Sequence, residues 1–80
     1  MDTIKVKVIS FYTKKIETNI EIPISELKTA EDGLYEWDEI NAVAILRART
    51  AVYKAEPDLR LQEVDEVELV SAPDDFEYWL

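Results

Sequence analysis

Apolar and polar positions alternate with a period of two in two stretches near the start of the chain, then recur with a period near 3.6 through one long central stretch. Ile4, Val6 and Val8 alternate with Lys5 and Lys7, and Ile16, Thr18, Ile20, Ile22 and Ile24 alternate with Glu17, Asn19 and Glu21. Both stretches read as half-buried strands, and their proximity makes them a hairpin. Two registers keep the apolar faces together: Val8 opposite Ile20 across a loop at residues 13–15, or Lys5 opposite Glu21 across a five-residue loop. A slip of one residue would turn one strand inside out. Pro23 has no amide hydrogen, which places its strand at a sheet edge or near its end.

The central stretch, residues 38–55, is the only segment long and periodic enough to require a helix. A wheel turned from Ile40 lines up Ile40, Ala44, Ala48, Ala51 and Ala55, with Ile45 and Val52 at the margin of the strip. Alanine along that strip lets the helix lie close to a sheet and favours helix formation. Asp38 is the expected N-cap, with Trp37 outside it as half of a hydrophobic staple. Pro57 biases Glu56 away from the helical region and ends the helix. Opposite the strip, Ala42, Val43, Leu46 and Tyr53 form a second apolar patch between Arg47, Arg49 and Lys54, which predicts that something covers it.

Between hairpin and helix, Ser25 reads as a cap for a short extra helix over residues 26–31, stopped by Asp32-Gly33. A start of the long helix just after Gly33 is also compatible with the wheel positions of Leu34 and Tyr35. Beyond Pro57, Val67 and Leu69 alternate with Glu66 and Glu68 within a third strand at residues 64–70. The fold class is therefore α+β: a small three-stranded, mainly antiparallel sheet, made of the N-terminal hairpin and a C-terminal strand, packed on one main helix. Residues 1–80 form a single acidic domain in which residues 74–80, Asp-Asp-Phe-Glu-Tyr-Trp-Leu, are an acidic-aromatic tail. So many aromatics at a terminus need burial. Either they fold back over Leu46 and Tyr53, or they serve another chain.

Composition narrows the function more than the fold. Eighteen acids against nine bases leave a net charge of −9, which excludes binding to nucleic acid or anionic lipid through a basic face. Partners, if charged, should be basic. With no cysteine and no histidine, thiolate metal sites and the commonest general base are missing. The lone glycine rules out a glycine-rich phosphate loop. Adjacent acids such as Asp65-Glu66 and Asp74-Asp75 lack the spacing of a calcium loop and read as solvated surface, so no metal, cofactor or catalytic residue is expected. The opening MDTIKVKVIS has no apolar signal core, and no run approaches the ~18 apolar residues of a membrane span, so a soluble, cytoplasmic protein is expected.

The charge distribution carries the functional reading. From Glu56 onward Arg60 is the only base, and residues 31–39 hold acids with no base, whereas lysines and arginines gather near the hairpin and on the helix. One reading is a solubilising surface. The sharper one is a non-enzymatic protein-binding module whose acids imitate a phosphate backbone and occupy the basic groove of a nucleic-acid-binding protein, as small acidic inhibitors from mobile elements do by analogy. The partner-binding candidates are Glu63, Asp65, Glu66, Glu68, Asp74, Asp75, Phe76, Tyr78, Trp79, Leu46 and Tyr53. The alternative is a structural or assembly protein that forms a homo-oligomer through the Leu46–Tyr53 patch and the aromatic tail.

Overall fold

The computed structural model describes residues 2–29 and 31–79, with the side chains of Asp65 and Trp79 outside the description. In chain order it contains β1 (Thr3–Phe11), β2 (Lys15–Pro23), a single 3₁₀ turn (Ile24–Glu26), β3 (Tyr35–Glu36), α1 (Trp37–Ala55), β4 (Glu63–Ser71) and β5 (Tyr78–Trp79). β1 is the centre of a three-stranded antiparallel sheet in the order β2-β1-β4, and β3 and β5 form a separate parallel pair. The α+β architecture expected from the pattern is the one observed.

Of the two hairpin registers, the chain adopts the one that pairs Lys5 with Glu21, so that Ile4 faces Ile22 and Val6 faces Ile20, but Phe11 also pairs with Lys15, which shortens the expected five-residue loop to a turn at residues 12–14. Ile24 N–H donates to the Asp2 carbonyl, which carries the ladder one pair beyond Thr3 and Pro23. Backbone groups alternate in direction along a strand. The even residues of β2 therefore turn their amides toward β1 and the odd ones turn outward. Pro23 is odd, so its missing amide hydrogen faces outward and costs the ladder nothing.

β4 pairs with the other side of β1 and carries two bulges. Ile9 and Ser10 are opposite Glu66 and Val64, which leaves Asp65 as an extra residue, and Lys5 and Val6 are opposite Ser71 and Leu69, which leaves Val70 extra. The first bulge lets Val64, Val67 and Leu69 all pack toward the core despite their uneven spacing. The second leaves Val70 exposed.

The core lies between the sheet and α1 and is built from Ile4, Val6, Val8, Ile20, Ile22, Leu27, Ile40, Ala44 and Ala48. The buried row of the helix is Ile40, Ala44, Ala48 and Val52. Ala51 and Ala55, expected on that row, are exposed. Residues four apart drift by about 40° around a helix, and the contact with a twisted sheet follows that slanting ridge rather than a straight strip. Helix and strand meet directly: Glu36 occupies the N-cap position without a side-chain bond and Asp38 lies in the first turn, so the expected Asp38 cap is corrected. The reason is that β3 leads into α1 with no intervening loop. The helix ends at Ala55, with Glu56 outside the helical region ahead of Pro57 as expected.

The short helix expected over residues 26–31 does not form. Pro23 leads instead into the 3₁₀ turn, and Leu27 is extended and buried in the core. Burial of Leu27 outweighs the weak local preference of six residues for helix.

Candidate functional site

Two segments remote in sequence converge at the N-terminal end of α1: the turn and β3 that lead into the helix, and the C-terminal tail. Gly33, with φ of 83°, reverses the chain, and the Asp32 carboxylate accepts the Leu34 N–H at 3.0 Å to close the turn. The chain then enters β3, where Tyr35 N–H donates to the Glu77 carbonyl at 3.2 Å and begins the pairing with β5. Phe76 N–H donates to the Pro73 carbonyl at 3.0 Å, which folds Asp74 and Asp75 into an exposed turn.

Aromatic rings form the floor of this end. Tyr35 and Phe76 stack at a centroid distance of 4.9 Å, Trp37 and Tyr78 lie 5.4 Å apart, and Phe76 and Tyr78 lie 5.8 Å apart. All four are half-buried and pack against the core. Around them Glu36, Asp38, Asp74, Asp75 and Glu77 are exposed. Residues alternate along the tail, so Phe76 and Tyr78 turn inward and Glu77 turns outward. Asp38 and its neighbours also sit favourably at the positive end of the helix dipole. Close by in the chain, the Lys28 backbone N–H donates to both Glu39 oxygens at 3.2 and 3.3 Å, and Arg47 pairs with Glu26.

The tail thus folds back onto its own domain, but not where the helix pattern pointed. It covers Tyr35 and Trp37, and it leaves Leu46 64% and Tyr53 65% exposed. Leu46 and Tyr53 instead border an open groove of about 570 Å³ at the opposite end of the molecule, together with Tyr12, Arg49, Thr50, Pro57, Leu59, Arg60 and Leu61. Nearby, Lys14 and Glu56 approach to 3.6 Å. In a molecule of 41 × 24 × 17 Å this makes one pole acidic and the other apolar and basic.

The candidates on β4 take a third position. Glu63, Glu66 and Glu68 are exposed on the face of the sheet away from α1, and Asp65 occupies the bulge, its side chain outside the description. Glu68 lies 3.5 Å from Lys7, and Glu21 lies 3.9 Å from Lys5 on the same face, so lysines of β1 partly neutralise this surface. The structure therefore brings Asp74, Asp75, Phe76 and Tyr78 together with Glu36, Asp38, Tyr35 and Trp37, and keeps the β4 acids apart from them. Trp79 belongs to β5, with its side chain outside the description. The residues of β3 and the first turn of α1 were absent from the sequence-derived candidates. The acid run at residues 31–39 was the signal, but nothing local ties it to a tail some forty residues later.

Among the described residues no group of three acids gathers as a metal-holding site, and no helix is long and apolar enough to cross a membrane. No protein-family model, curated protein or solved structure matches the chain.

Proposed function

We infer that the protein acts by binding another protein and not by catalysis, and that the acidic pole is its contact surface. The observation that supports this is the rim of exposed acids, Glu36, Asp38, Asp74, Asp75 and Glu77, held on a floor of packed aromatics. A rigid floor keeps the carboxylates in place before a partner arrives, which reduces the ordering cost of binding. The matching partner has a basic surface, and a groove that otherwise holds a nucleic-acid backbone fits best: the protein would inhibit such a target in the cytoplasm without touching nucleic acid itself.

The test is competition. Proteins captured on the immobilised chain should be released by duplex DNA at concentrations where a neutral polymer releases none. The triple reversal D74K, D75K, E77K should abolish capture while leaving the melting midpoint within a few degrees of the parent. Capture that resists both DNA and the reversal would sink this reading. The homo-oligomer reading keeps one surface of the two it had: the tail is engaged within its own domain, while the open Leu46–Tyr53 groove remains able to meet a second copy.

A further inference from the structure

The two edges of the main sheet are not alike. β4 is broken by bulges at Asp65 and Val70, which bend an edge and spoil it as a template for another strand. β2 pairs with β1 over nine residues with no register shift. Its outward backbone groups belong to Lys15, Glu17, Asn19 and Glu21, each with an amide hydrogen, and among the described residues no backbone hydrogen bond reaches them. Such an edge is an incomplete ladder.

We propose that β2 is the docking edge for a second copy of this chain, the two β2 strands pairing antiparallel about a two-fold axis through Thr18 to join the three-stranded sheets into one. The choice of occupant and register comes from charge. With the axis at Asn19, Glu17 of each copy would face Glu21 of the other; with the axis at Glu17, that residue would face its own copy. Shifted to Ile20, the pairing sets Glu17 against the donorless Pro23. With the axis at Thr18, Thr18 faces its own copy once, and Lys15 faces Glu21, Glu17 faces Asn19 and Ile16 faces Ile20, each of these pairs occurring twice. Every outward amide then finds a carbonyl. Ile16 and Thr18, only half-buried in the single copy, gain a neighbour on the core side of the sheet. Closed two-fold pairing is also the commonest symmetry of soluble assemblies. Neither the acidic pole nor the Leu46–Tyr53 groove takes part, so this inference stands independently of the binding reading.

A single strand edge is a small contact, and the net charge of −9 opposes association, so the dimer should be weak, with a dissociation constant on the order of 10–100 μM. Sedimentation equilibrium on the whole chain from about 10 μM to 1 mM should show a monomer–dimer equilibrium. Lys15→Glu and Glu21→Lys should each weaken it about tenfold, since each turns two attractive cross-strand pairs into repulsive ones. An equal mixture of the two variants should recover association, because every Lys–Glu pair re-forms in the mixed dimer, and K15E combined with E21K in one chain should recover it as well. Leu46→Asp should leave the dimer intact. Amide exchange should slow at Glu17, Asn19 and Glu21 as concentration rises. A chain monomeric up to about 1 mM overturns the proposal, as does a dimer indifferent to the two charge reversals or one in which those amides stay unprotected.

Discussion

Ala44 and Ala48 set the distance between helix and sheet, since both are buried beneath α1 where a longer side chain would have to displace the strands. Ala48→Leu should therefore overpack the core and cost about 1–3 kcal/mol in equilibrium unfolding. The same change at Ala51, which the helix wheel alone would treat as equivalent, should cost less than about 0.5 kcal/mol because Ala51 is exposed. Equal costs at the two sites would mean that the buried ridge does not run through Ala48 and Val52. Another residue-scale feature is Asn41, whose Oδ1 is buried without a hydrogen-bond partner among the described residues. The sequence offers no sign of it, since asparagine near a helix start is ordinarily solvated.

At the scale of elements, the pair β3–β5 shows how much a two-residue strand can organise. Its backbone bonds are few, but it seats Phe76 on Tyr35 and Tyr78 on Trp37. Deleting residues 76–80 should lower stability by roughly 1–3 kcal/mol, the combined worth of aromatic contacts and half-buried apolar area. Chemical denaturation of the truncated monomer measures this, and an unchanged midpoint would mean that the tail only rests on the domain. β4 makes the complementary point. Val67 and Leu69 read as a strand from their alternation, but Val64 lies three residues before Val67 and breaks the period. Only the Asp65 bulge, visible once β1 supplies a register, reconciles them.

For the whole molecule the governing feature is the segregation of charge. Acids crowd the end where the tail, β3 and the start of α1 meet, whereas the ion pairs of Glu21, Glu26, Glu56 and Glu68 lie elsewhere on the solvent surface, where each is worth little. Mutual repulsion therefore destabilises the folded chain, and added salt should screen it. Thermal melts from low to moderate NaCl should show a rising midpoint. A midpoint that falls with salt would show that favourable ion pairs outweigh the repulsion.

Periods of two and 3.6 are local properties of the chain, so the hairpin, the main helix, the third strand and the α+β class were legible in the sequence, as were the net acidity and the missing catalytic residue types. Where local pattern left a choice, tertiary contact made it. Burial of Leu27 replaced a short helix with extended chain, the twist of the sheet selected Val52 over Ala51 and Ala55, and one of two equivalent hairpin registers was taken. The candidate site was legible only in halves. The acids of residues 31–39 and the acidic-aromatic tail each stood out, but their meeting depends on a pairing between Tyr35 and Tyr78 that no periodicity encodes. Two residues are too few to carry a pattern, and their contact exists only because β4 returns the chain along the sheet to the end where α1 begins.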